Sequence, residues 1–309
     1  MRQAQPRTDT IKAVSTVRPD NPLDTAFLAE LERLRMLSRK LFRGQMRGER
    51  RSRNKGQSVE FVDFRPYMKG DDIRRIDWNL YGRLERHYVK LFEEEEDLRL
   101  YILLDCSASM DYGNPNKFDY ARRLAAGLAY IVLSNMESVS VSVFSSDYDI
   151  IQTPSRGKGK IHPILRRLSR LEAGGGSSLR AAAARFAAHT RKSGMVAVIS
   201  DFLTEDGIET IAPLLGSGHQ IELMQVLSPE EANPQLTGDL QLVDRETGER
   251  MDVSMGVNVL KKYHERLSAL QSELKRFALK SGGDFFPCVT STGVTELIMG
   301  AMRSGKLIR

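Results

Sequence analysis

Hydrophobic residues follow two different spacings along the chain, and the change falls near Leu98. Beyond that point, continuous apolar runs of strand length alternate with stretches of helical period. LRLYILLD (98–105) is almost wholly apolar and ends in a carboxylate, as a central strand covered on both faces would be. MVAVISD (195–201) has the same form, IELMQVLS (221–228) is another such run, and VSVSVFSS (139–146) alternates with period two. Helices are predicted at Lys117–Met136, Lys160–Leu171, Leu179–Lys192, Glu205–Leu215 and Asn258–Lys280. A short strand, DFFPCV (284–289), precedes a closing helix from Val294. DLQLVDRETGERMDVS (239–254) reads as a hairpin with its turn at Glu246–Gly248. Strand–helix alternation of this kind predicts an α/β fold: a doubly wound, mostly parallel, Rossmann-like sheet with helices on both faces.

The first hundred residues are patterned differently. Residues 1–23 are polar, carry Pro6, Pro19 and Pro22, and show no period, so a flexible tail is expected. Leu28, Leu31, Leu34, Leu37 and Leu41 then recur at three- and four-residue steps, which predicts a helix from about Asp24. Its leucine stripe is expected to pack on the main domain; a helix lying on a membrane surface is the alternative. GQMRGERRSRNKGQ (44–57) is Gly-punctuated and basic, hence loop. Short strands at Val59–Phe64 and His87–Phe92 flank a turn at Lys69-Gly70-Asp71. The expected organisation is a tail (1–23), a basic helical and β extension (24–97) and an α/β domain (98–309).

At 309 residues the chain has room for one large domain or two modest ones, at roughly 100–200 residues each. The formal charge of +6 is unevenly placed, with ten Lys/Arg and the single acid Glu49 between Arg33 and Lys55. Such a block suits an anionic surface of protein, nucleic acid or lipid; a solvated basic arm is the plainer reading. The acidic run Glu93–Asp97 reads as a solvated face, or as a contact for the basic arm or a basic partner. Cys106 and Cys288 sit beside apolar residues and are expected to be core thiols. No apolar h-region opens the sequence, and the best apolar run, Leu124 to Leu133, falls short of the ~20 residues of a membrane span. A soluble cytoplasmic protein is the expectation.

Three polar clusters fall where strands end or helices begin, the usual ligand edge of an open α/β sheet. They are Asp105-Cys106-Ser107-Ala108-Ser109, Gly174-Gly175-Gly176-Ser177-Ser178 and Ser200-Asp201. Hydroxyls and carboxylates without His or thiolate form a hard oxygen set suited to Mg²⁺ or Mn²⁺ rather than zinc. Glycines would let the second loop come close without Cβ clashes. A lone D-x-S-x-S is often only a helix cap; here it follows an apolar strand, with the other two clusters downstream in order.

At these residues the chain resembles the von Willebrand factor A (vWA) family. Its metal-ion-dependent adhesion site reads D-x-S-x-S, then a Thr after glycines, then an Asp after a strand. The resemblance implies Asp105, Ser107, Ser109 and Asp201 as metal-site residues, with Ser177, or else Ser178, in place of the usual Thr. It also implies an open coordination position that accepts an acidic residue from a partner. Loss of the β-branch at Ser177 leaves that hydroxyl less rigidly held. Upstream, RSRNKGQSVEFVDFRPYMKGDDIRRIDW, then YGRLERHYVKLFEEEE and LLDCSASM, resemble the bacterial family called domain of unknown function 58. That likeness runs from about Arg43 to Phe144 and is most specific in GDD-x-R-x-IDW. It implies a MoxR-type AAA+ ATPase, or that ATPase's client, as partner in chaperone-like assembly.

Read for its chemistry alone, Gly70 to Trp78 offers three acids and two arginines around a turn. Bidentate Arg–carboxylate pairs that lock the segment to the main domain are expected there, ahead of a catalytic carboxylate pair. Trp78 is expected to be a packing anchor. There is no G-x-x-x-x-G-K-[ST] and no G-x-S-x-G, and the five histidines are scattered. A non-enzymatic adaptor is therefore the leading expectation. The alternatives are a nucleic-acid-binding module acting through the basic arm and a Mg²⁺-dependent hydrolase using Asp105 and Asp201.

Overall fold

The computed structural model describes residues 23–45, 60–93, 98–204, 207–216, 218–235, 238–243 and 250–304. Residues 1–22, residues 46–55 of the basic block, Glu94–Asp97 and the hairpin turn at 246–248 lie outside the described residues. The chain divides into two units, one within 1–41 and 98–309 and the other within 42–97.

The larger unit is built on a six-stranded sheet. In chain order its strands are β3 (Arg99–Asp105), β4 (Ser138–Phe144), β5 (Tyr148–Arg156), β6 (Met195–Ser200), β7 (Gln220–Leu227) and β10 (Phe285–Val289). Their spatial order is β10-β7-β6-β3-β4-β5. Every pairing is parallel except β4 with β5. The doubly wound α/β expectation therefore holds, with one addition. YDIIQTPSR mixes polar and apolar residues without a clean period, so β5 escaped the pattern reading, and it occupies an antiparallel edge. In β3, β6 and β7 the continuous apolar runs are buried throughout apart from their first residues in β3 and β7. The chain leaves β3 toward β4 on one side and returns to β6 on the other, which makes the carboxyl end of β3 the switch point of the sheet.

The helices of this unit are α1 (Thr25–Gln45), α3 (Lys117–Ser134), α4 (Ile161–Ser169), α5 (Leu179–His189), the single turn α6 (Pro229–Ala232), α7 (Val257–Lys280) and α8 (Val294–Arg303). Asn116 caps α3 by accepting the Phe118 and Asp119 N–H groups. From the same helix Arg122 donates to the carbonyls of Leu168, Ser169 and Leu171 at the end of α4. The stripe of α1 is buried at Phe27, Leu31 and Leu34, and Glu32 accepts the Tyr130 hydroxyl of α3. Leu31 and Leu34 of the predicted stripe are thus buried, Leu28 is half-buried, and the side chains of Leu37 and Leu41 lie outside those described. Residues 207–216 are a 3-10 helix rather than the α-helix expected, with Pro213 inside it. A separate hairpin, β8 (Gly238–Val243) with β9 (Arg250–Met255), matches the predicted one. Both cysteines are buried, and no described helix is long and apolar enough to cross a membrane.

The smaller unit pairs β1 (Glu60–Pro66) with β2 (Tyr88–Glu93) and carries the short helix α2 (Trp78–Leu84). Three of its acids have partners within the unit. Asp71 pairs with Arg65 at 2.5 Å, Asp72 accepts the Arg74 N–H, and Asp77 caps α2 while pairing with Lys90 at 3.0 Å. Trp78 is not an anchor: it is 59% exposed and meets Tyr81 and His87 edge-on. Its place at the first turn of a helix without buried residues directs the ring outward.

Two tests of the packing follow. A Cβ on Gly283 would lie 2.0 Å from the Ile221 carbonyl oxygen, whereas one on Gly300 meets nothing within 4 Å. Gly283→Ala is expected to cost about 3 kcal/mol and Gly300→Ala to be neutral or to stabilise by up to about 1 kcal/mol, read as urea midpoints at unchanged slope. His219 packs against the Tyr101 and Phe186 rings, where burial holds its pKa below the ordinary value. The unfolded chain then binds the proton first, so stability should fall as pH drops below about 6.5. Thermal melts across that range should show a shallower decline in His219→Gln.

Candidate metal centre

Asp105 is the last residue of β3 and is 1% exposed. A carboxylate at the end of an apolar strand loses most of its water, and here both oxygens are met by hydrogen bonds. Oδ1 accepts the Ser107 N–H at 2.9 Å and Oδ2 accepts the Ser200 hydroxyl at 2.6 Å. Ser200 closes β6, the neighbouring strand, and its Oγ in turn accepts the Phe202 N–H. Burial, reinforced by the neighbouring charge of Asp201, raises the Asp105 pKa to about 7.

The turn after Asp105 projects two hydroxyls side by side. Ser107 Oγ and Ser109 Oγ are 3.1 Å apart, and Ser107 is fully buried. The glycine loop is laced to this turn by two backbone bonds, Gly174 N–H to the Cys106 carbonyl at 2.8 Å and Ala108 N–H to the Gly175 carbonyl at 2.9 Å. Gly175 has φ +75°, and a Cβ there would stand 2.7 Å from Ser146 Oγ, so glycine is required on both counts. That lacing brings the segment carrying Ser177 and Ser178 to the Asp105 turn. The Ser177 hydroxyl oxygen is buried, and Ser178 takes the N-cap position of α5.

Asp201 is 2% exposed. Its Oδ1 accepts the Leu203 N–H, and its Oδ2 receives the Lys117 ammonium at 2.8 Å. Lys117 has no exposed surface and also reaches Glu231 Oε1 at 2.7 Å. Burial alone would pull its pKa down, but Asp201 and Glu231 outweigh burial and hold it above the ordinary value. Sequence reasoning missed Lys117 and Glu231. One signal was available: a lysine directly after an N-cap asparagine faces the positive end of a helix and needs acids close by.

The structure therefore gathers Asp105, Ser107, Ser109 and Asp201 at the carboxyl ends of β3 and β6, with the Ser177 loop bonded alongside. Adjacent oxygens on an octahedral ion with bonds of about 2.1 Å lie roughly 3 Å apart. The two serine hydroxyls meet that spacing, and the oxygen-only donor set suits Mg²⁺ or Mn²⁺. In spacing and donor type the two hydroxyls suit such an ion.

Ser200 joins the two strand ends through one hydroxyl. Ser200→Ala should destabilise the fold by about 2 kcal/mol, the cost of leaving a buried acceptor unmet. Denaturant titration at neutral pH measures it, and a change below a few tenths would contradict the role given to this bond.

Among curated proteins, the chain is similar to uncharacterized proteins of Mycobacterium bovis and Mycobacterium tuberculosis. Each is 27% identical over 250 residues, spanning 77% of this chain and 78% of the relative. Among solved structures, an aerotolerance-related membrane protein from Bacteroides fragilis is 17% identical, with 67% of this chain and 97% of that one covered at a TM-score of 0.43. The conserved hypothetical protein BatB of Bacteroides thetaiotaomicron is 15% identical, with 67% and 98% covered and the same TM-score. None of these descriptions names an enzymatic activity. Residues 63–273 match the family described as Protein of unknown function DUF58, and the chain belongs to that family.

Proposed function

We propose that the chain is a non-enzymatic adaptor of vWA type that grips an acidic residue of a partner protein through a divalent ion. The observation that carries this reading is the convergence of Asp105, Ser107, Ser109 and Asp201 at the switch point of the sheet. Ser107 and Ser109 would bind the ion directly, Asp105 and Asp201 would act through water, and Ser177, or else Ser178, would supply the hydroxyl of the glycine loop. The chemistry a bound Mg²⁺ or Mn²⁺ supplies is a coordination position left open to a carboxylate. The protein's own part is to hold the donors still. Ser107 N–H and Ser200 fix Asp105, Leu203 N–H and Lys117 fix Asp201, and the Cys106–Gly174 and Ala108–Gly175 bonds fix the turn.

The partner proposed is a MoxR-type AAA+ ATPase or its client. Support for it is the family resemblance in the GDD-x-R-x-IDW stretch and the family match itself. The setting proposed is the cytoplasm.

Immobilised full-length chain should retain the cognate ATPase in Mg²⁺ and lose at least about tenfold in affinity in chelator, which corresponds to about 1.4 kcal/mol. Asp105→Ala, checked for folding by circular dichroism, should bind as poorly as the chelated wild type. Retention that withstands both treatments would sink the metal-bridged reading.

A further inference from the structure

We propose that Lys117 is a built-in cation of this centre, which holds Asp201 and Glu231 together and sets how tightly a divalent ion is bound. The inference rests on the metal reading above and goes beyond it to a residue outside the ligand set. The geometry is specific. Lys117 Nζ is fully buried, 2.8 Å from Asp201 Oδ2 and 2.7 Å from Glu231 Oε1.

Each feature of this position opposes a cation unless acids meet it. Lys117 is the first residue of α3, where the helix dipole disfavours positive charge, and the ammonium has left water altogether. Two carboxylates compensate, and both are held independently of the lysine. Asp201 is fixed by the Leu203 N–H. Glu231 belongs to a capping box in which Ser228 Oγ accepts the Glu231 N–H at 3.2 Å and Glu231 Oε2 accepts the Ser228 N–H at 2.9 Å. That arrangement leaves Oε1 for Lys117. The loop leading into α3 is pressed onto the same cap, since a Cβ on Gly113 would stand 2.4 Å from Ser228 Cβ. The segment after β3, the end of β6 and the end of β7 thus meet at one ammonium.

The consequence for a metal follows from charge. Asp105, Asp201 and Glu231 against Lys117 leave a formal two minus when all are ionised, which a divalent ion would balance. Yet Lys117 already occupies one oxygen of Asp201 and repels any second cation brought to that carboxylate. Lys117 therefore weakens metal binding, and Glu231, by offsetting Lys117, strengthens it. The two residues act with opposite sign although both belong to one ion-pair network, an outcome that a purely structural role would not produce.

Full-length wild type, Lys117→Gln and Glu231→Gln are titrated with Mn²⁺, free Mn²⁺ being counted by electron paramagnetic resonance, with Asp105→Ala as reference. Lys117→Gln keeps donors at the end of the side chain without the charge. Its Mn²⁺ dissociation constant should fall by about tenfold or more, and that of Glu231→Gln should rise by a similar factor. Should Lys117→Gln fail to fold, Glu231→Gln alone decides the matter. Mn²⁺ affinities equal to wild type in the folded variants overturn the role of Lys117 while leaving the metal reading in place. Mn²⁺ bound by no variant, or bound equally well by Asp105→Ala, overturns the metal reading and this inference with it. Binding by Lys117→Gln where the wild type shows none supports the inference in its strongest form.

Discussion

Two carboxylates buried at the ends of adjacent parallel strands impose the condition around which the rest of the site is arranged. Asp105 and Asp201 each retain almost no contact with water. Left alone, a pair of anions in such surroundings would cost several kcal/mol apiece. The surrounding chain answers with donors: two for Asp105, a backbone N–H and an ammonium for Asp201. Those donors come from four places in the sequence, so compensating the charge also draws β3, β6, α3 and the following loops into a single arrangement. Polar satisfaction, rather than apolar contact, sets the geometry at this edge of the sheet.

The sheet beneath is what makes such a requirement tolerable. β3 has β6 on one side and β4 on the other, its pairings run in register along most of the strand, and its side chains are sealed from Leu100 onward. A strand so constrained cannot shift its last residue without moving every contact below it. The Asp105 turn therefore starts from a fixed point, and its two bonds to the glycine loop remove most of what freedom remains. A partner that engages this edge would meet donors already ordered, with little entropy left to lose on binding.

Much of this was legible from residue order, and the limits have physical reasons. Long apolar runs ending in polar residues identified β3, β6 and β7, because strands buried on both faces need nothing but apolar side chains. The D-x-S-x-S turn and the strand-final Asp201 were legible for the same reason: polarity that interrupts such runs at their ends is conspicuous. β5 was not, since an edge strand faces partners on one side only and its sequence need not alternate cleanly. Trp78 misled because a large aromatic ring usually signals burial, whereas here it tops a short helix beside Tyr81 and His87. The pairing of Lys117 with Asp201 and Glu231 spans 84 and 114 residues, and no local pattern encodes a contact at that separation.

The two buried thiols have a practical bearing. Cys106 stands one residue from Asp105, and burial with that nearby negative charge pushes it to about 12; Cys288, sealed in β10, is pushed upward by burial alone. Since only the thiolate reacts, neither sulfur should take up an alkylating reagent while the domain stays closed. Labelling at native pH would thus clock the opening of the sheet itself, and a single cysteine introduced on the surface would be the chain's one rapidly reactive thiol, a clean attachment point for a spectroscopic tag.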